Sequence, residues 1–190
     1  MGWTTTYKPK GEPALDFFNR AGVFTWSGDS PHTHKVLDSA LVKFNTFYAA
    51  VEKIHKETGE RKVWAAVILI RHYNKKNGKP YWDHNFGWKD MDESCGPNAD
   101  ECPERILKLL TPTTYEHAID WRARCWANIE KRKARKNLTP GTTLKYGKYE
   151  MTVLGPAICK TRVLVRDQHE KVWTMTRSQI LKAEIVKEKS

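Results

Sequence analysis

The run from Val63 to Tyr73, VWAAVILIRHY, contains the longest apolar stretch of the sequence. Val63 to Ile70 is apolar without a break, far short of the roughly 20 residues that cross a bilayer and of a length that suits a strand. A strand apolar on both faces reads as the central strand of a sheet. Its neighbours lie on either flank. Upstream, KVLDSALVKFNTFYAAVEKIH reads as two strands turning near Asn45, with Val36, Leu37, Ala40 and Val42 on the first and Phe47, Tyr48, Ala49 and Val51 on the second. Downstream, NKKNGKP supplies a polar turn at Asn77-Gly78, and YWDHNFGWKDMDE resumes as a strand rich in aromatic residues. Together they predict an antiparallel sheet.

At the N-terminal end, MGWTTTYKPKGEP is Thr-rich and broken by Pro9 and Pro13, so it reads as an extended arm ahead of a short helix, Ala14 to Arg20. SGDSPHTH is a further break. After CGPNADECP, Pro103 opens a short helix with Ile106, Leu107 and Leu110 on one face. YEHAIDWRARCWANIEKRKARKN is a longer helix, with Ala118, Trp121, Cys125, Asn128 and Ile129 along a buried stripe. Leu138-Thr-Pro-Gly-Thr ends it and starts a new unit. From Thr142 short strands follow one another (TTLKY, KYEMTVLG, TRVLVRD, KVWTM, AEIV), with a brief turn at SQIL, in the cadence of a small bent barrel. The expected architecture is α+β: an antiparallel sheet with two helices over residues 1–137, then an SH3-like small β-barrel over 138–190.

The chain has 190 residues and a formal net charge of +11, which favours polyanionic partners, nucleic acid first among them. Four cysteines are too few for a disulfide scaffold and no charged-then-apolar leader opens the sequence, so a reducing cytoplasm is the expected compartment. No membrane association is expected.

Three motifs invite chemistry. In CGPNADECP, Cys95 and Cys102 are separated by six residues, whereas structural zinc favours closely spaced pairs. Cys125 and Cys159 fall in other elements, and His84 or His117 would have to complete a site in space. A reactive Cys102 at a helix start is the second reading, and a fastened turn with small apolar cysteines the preferred one. In WKDMDE, strand alternation sets Asp90 and Asp92 on one face with Asp83 upstream, a candidate Mg²⁺ site for phosphodiester cleavage; the plainer reading is a carboxylate cap or a salt-bridge partner for Lys89 and Arg105. No catalytic residue, metal or cofactor is assigned.

The third motif is the basic run IEKRKARKN. Lys131, Arg132, Lys133, Arg135 and Lys136, with Arg122 and Arg124 earlier on the helix, form the candidate nucleic-acid surface, continued by Lys145, Lys148, Arg162 and Arg166 in the barrel, where Lys160 and Lys171 add charge. A solvated helix end that complements the macrodipole is the plainer alternative. Among the eight tryptophans, Trp64 and Trp121 read as core, Trp82, Trp88 and Trp126 as candidates for exposure and base stacking, and Trp3 lies in the arm.

MGWT, YAAVE, VWAAV, the block KDMDESCGP with CPERILKLLTPT, and the A-x-x-W-R-x-R-C pattern of Ala118 to Cys125 also carry a resemblance. Up to about Lys136 the chain resembles a family of uncharacterised proteins of bacteriophages and bacterial mobile elements. The resemblance implies an accessory protein in the cytoplasm of a bacterial host, one that binds nucleic acid or blocks a host defence complex of anti-CRISPR or anti-restriction kind. It brings no established activity. Between the cysteines NADE lacks a further thiol, which argues against a metal, and the C-terminal barrel matches the family less closely. The expected partner is therefore nucleic acid or a host nucleic-acid-associated protein complex, with a Mg²⁺-dependent nuclease as the remaining alternative.

Overall fold

A computed structural model describes residues 2–9, 11–24, 30–72, 75–76, 79–80, 85–136, 138–157 and 162–187. Trp82, Asp83, His84, the Asn77-Gly78 turn, Cys159 and Lys160 lie outside the described residues, as does the side chain of Lys136. The fold is α+β and its sheets are antiparallel. Two compact units divide the chain, Met1–Ile129 and Glu130–Ser190.

In the first unit, β1 (Thr4–Tyr7), β2 (His32–Val42), β3 (Thr46–His55), β4 (Arg61–His72) and β7 (Asn85–Asp92) form a five-stranded sheet in the order β1-β7-β4-β3-β2. The short β5 (Lys75–Lys76) and β6 (Lys79–Pro80) pair with each other. β4 is the central strand, and its two alternating sets of side chains serve two cores. Ala66, Ile68 and Ile70 meet Phe17 and Phe18 of α1 (Ala14–Arg20) together with Phe47 and Phe86. Phe17 packs edge-on against Phe18 and Phe86, with ring centroids 5.1 and 5.2 Å apart. Val63, Ala65 and Val67 meet Ile106 and Leu107 of α2 (Glu104–Leu107) and Trp121, Cys125 and Ile129 of α3 (Glu116–Lys136). Helices on both faces are the reason this strand is apolar without a break from Val63 to Ile70.

The N-terminal arm is itself a strand. Thr4 to Tyr7 pair with Trp88 to Asn85 at the sheet's edge, and the Arg71 guanidinium lies 4.4 Å from the ring centroid of the half-exposed Trp3. An edge strand that is wet on both faces carries no apolar alternation, so its β-branched threonines were its only sequence mark.

The second unit contains the last turns of α3, then β8 (Thr143–Tyr146), β9 (Tyr149–Pro156), β10 (Arg162–Asp167), β11 (Val172–Thr176), α4 (Arg177–Lys182) and β12 (Glu184–Lys187). Their sheet runs β11-β10-β9-β8-β12, so the last strand returns to pair with the first. The hairpin between β8 and β9 turns through Gly147, at φ 61°. Leu144, Val153, Val165, Met175, Ile180 and Ala183 form the core. The expected turn at SQIL is the helix α4, started by a capping box in which Thr176 and Gln179 satisfy each other's backbone N–H groups.

The units divide at Ile129/Glu130, inside α3 and ahead of the Leu138 break. Ile129 is the last residue of the helix stripe to join the first unit's core, whereas Leu138 packs on the core of the second.

Candidate nucleic-acid interface

Charge is divided very unevenly between the units. Residues 130–190 carry fifteen Lys and Arg against six Asp and Glu, a net +9, while residues 1–129 carry eighteen against sixteen, a net +2. Attraction for a polyanion therefore concentrates in the smaller unit.

Within it, the basic side chains differ in their freedom. Lys131, Arg132 and Lys133 are exposed on α3, with Lys133 3.0 Å from Glu130. Arg135 is turned inward, donating to the Ala183 carbonyl at 2.7 Å, and burial lowers its pKa from the ordinary guanidinium value. Lys145 sits across the strands from Glu150 on one side and Glu184 on the other, so acids flank it. Arg166 is paired with Glu170 at 3.0 Å, and Arg162 is exposed at the start of β10.

Among the described residues of this unit, two cations lie over aromatic rings. Lys148 Nζ is 5.4 Å from the ring centroid of Tyr149, and Lys171 Nζ is 4.5 Å from that of Trp173. Both rings are nearly half exposed, at 43% and 47%. The Trp173 indole N–H donates to Asp167 Oδ2 at 2.7 Å, while Asp167 Oδ1 accepts the backbone N–H groups of His169 and Lys171 at 2.9 and 3.0 Å. These bonds, the indole's first, hold the Asp167 carboxyl below its ordinary pKa. An exposed ring fixed at its polar end beside an ammonium is a geometry suited to stacking on a base. Sequence reasoning passed over Trp173; the adjoining turn residues and Lys171 were its available signal. Trp88 and Trp126 are instead partly buried against the two cores of the first unit.

The remaining candidates lie in the first unit and serve its framework. Arg122 grips Glu93 with both arms at 2.6 Å and donates to the Thr111 carbonyl, also at 2.6 Å. Arg124 donates to the Pro97 carbonyl at 3.0 Å. With Trp121 Nε1 on Ala99 O at 2.8 Å and Asn128 Nδ2 on Asp100 O at 3.2 Å, α3 fastens the carbonyls of the cysteine loop one after another. Asp92 Oδ1 receives the N–H groups of Ser94 and Cys95 and caps the 3-10 turn Glu93–Cys95, and Gly96 leaves that turn at φ 58°.

The loop is thus a fastened turn. Cys95 is exposed, Cys102 and Cys125 are buried, and burial pushes the Cys102 thiol well above its ordinary pKa, against a reactive role. Asp90 is exposed on β7. No group of three His, Cys, Asp or Glu suited to a metal ion occurs among the described residues, and none of their helices is long and apolar enough to cross a membrane. Comparisons with protein-family models, with curated proteins and with solved structures found no match to this chain.

Proposed function

We propose that the second unit is a nucleic-acid-binding module of SH3-like barrel type, which holds its ligand chiefly by the phosphates. The observation that carries this reading is the concentration of net +9 in residues 130–190. The return of β12 to β8 after a helical turn supports the barrel, and the Lys148/Tyr149 and Lys171/Trp173 pairs supply stacking platforms beside cations. Lys131, Arg132, Lys133 and Arg162 are the phosphate contacts. The resemblance of the sequence up to about Lys136 supports an accessory role in a phage or mobile element, in the cytoplasm of its bacterial host.

The test is binding of the full chain to labelled single- and double-stranded DNA and RNA across a salt series, with Mg²⁺ present and the products run on a gel. Micromolar binding that weakens steeply with salt is expected, and Lys131→Glu/Arg132→Glu/Lys133→Glu should reduce the slope of log K against log salt by roughly 3. Absence of binding at low salt overturns the reading and redirects the charge to an acidic protein of a host defence complex; cleaved products that disappear with chelator would make the protein a nuclease.

A further inference from the structure

In the first unit, β7 ends where Asp92 pairs with Ala66, but β4 continues back to Arg61. Among the described residues its edge over residues 61–65 therefore has no strand beside it on that side. Side chains and one backbone N–H take the strand's place: Thr111 N donates to Val63 O at 3.0 Å, Thr111 Oγ1 accepts from Val63 N at 3.2 Å, and Glu93 Oε1 accepts from Ala65 N at 3.3 Å. Along this edge runs a cavity of about 550 Å³, within the usual size range of small-ligand sites.

Three basic side chains enter its lining from adjacent strands. His34 of β2 is directly opposite Lys53 of β3, and Lys53 is directly opposite Lys62 of β4. Such neighbours have Cβ atoms about 5 Å apart, and like charges at that spacing cost stability. Lys62 has an exposed partner in Glu60 at 2.8 Å, whereas among the described residues no hydrogen bond or ion pair engages Lys53. The ammonium groups of Lys53 and Lys62 repel each other beside the cavity, and a bound anion relieves that repulsion.

The rest of the lining suits the other end of a ligand. Trp64 follows Lys62 by two residues on β4 and so shares its face, and the exposed Tyr115 borders the same cavity. Asp92 spends Oδ1 on the 3-10 turn, while its Oδ2 accepts no hydrogen bond among the described residues and, in the cavity lining, can accept from the exocyclic amino group of a base. Arg122 neutralises Glu93 beneath.

We propose that this cavity binds a phosphorylated aromatic ligand of nucleotide size, its phosphate on Lys53 and Lys62 beside His34 and its ring against Trp64. The site is independent of the polyanion surface in the second unit. Two sources share this chemistry, a free nucleotide and the phosphorylated end of a strand.

Calorimetric titration of the full chain with adenosine 5′-monophosphate, adenosine, inorganic phosphate and the 5′-phosphorylated dinucleotide pApA tests it. Saturable binding of the monophosphate is expected, with adenosine and phosphate each at least tenfold weaker. Tighter binding of pApA identifies a strand end, and tighter binding of the monophosphate a free nucleotide. Lys53→Gln and Lys62→Gln should each weaken the monophosphate at least tenfold, and Lys53→Gln should melt no lower than the parent because it removes the repulsion of Lys62. Lys131→Glu/Arg132→Glu/Lys133→Glu should leave this affinity unchanged, which separates the site from the nucleic-acid surface. No binding of the monophosphate at millimolar concentration, phosphate binding as tightly as the monophosphate, or unchanged affinity in both glutamine variants overturns the proposal.

Discussion

Glu93 and Arg122 show how much one residue pair can fasten. The Glu93 side chain is 6% exposed and that of Arg122 16%, and between them they meet Thr111 O and Ala65 N as well as each other. Removing one partner strands a buried charge, so Arg122→Met should lower stability in urea by about 3–5 kcal/mol. The double substitution Glu93→Leu/Arg122→Met should recover only part of that, because the Ala65 N–H loses its acceptor. The cysteines differ for an equally local reason. Cys95 is exposed and should react promptly with a maleimide in the native protein, whereas Cys102 and Cys125 should react only as denaturant opens the first core, which peptide mapping by mass spectrometry would distinguish.

At the scale of elements, the ends of β2 and β3 gather His32, His34 and His55, with the His32 and His55 rings 4.9 Å apart. Desolvation first, then Lys53 and its histidine neighbours, hold His32 below its ordinary 6.5 despite the opposing pull of Glu60. Desolvation and Lys53 do the same to His34. A histidine with a depressed folded pKa takes up its proton more readily in the unfolded chain, so its contribution is present above about pH 6.5 and is lost as pH falls through the folded value. The melting temperature should fall between about pH 7 and pH 5, and His32→Gln/His34→Gln should flatten that fall. In the second unit, Thr176→Ala removes the cap of α4 and should cost about 1 kcal/mol in chemical denaturation. The elements themselves were largely legible in the sequence, because β3 and β4 carry unbroken apolar runs of strand length and α3 buries a stripe at helical spacing. β1 was not, since it buries nothing on a regular face. The sharing of α3 between two units was equally hidden, because Ile129 and Leu138 are both apolar and only packing assigns them to different cores.

For the molecule as a whole, net charge predicted a polyanion partner, but its distribution among side chains depended on the fold. Lys145 between Glu150 and Glu184 should contribute little, so Lys145→Glu is expected to leave nucleic-acid affinity within about twofold, while Lys171→Glu, beside Trp173, should lower it severalfold and reduce the salt slope by about 1; fluorescence anisotropy across a salt series checks both. Arg122, counted with the basic surface in the sequence, belongs to the framework because its acidic partner lies in the 3-10 turn after β7, 29 residues away. The cavity lay beyond sequence reading, since His34, Lys53 and Lys62 come together only through the register of three strands. The same edge of β4 bears on how copies of the chain avoid one another in a crowded cell. An uncovered run of backbone donors and acceptors recruits strands from other molecules, and here Thr111 and Glu93 occupy those positions without offering a strand of their own. A chain that lost Glu93 would therefore be weaker and also adhesive, entering oligomers and fibrils through an edge that the native protein keeps sealed.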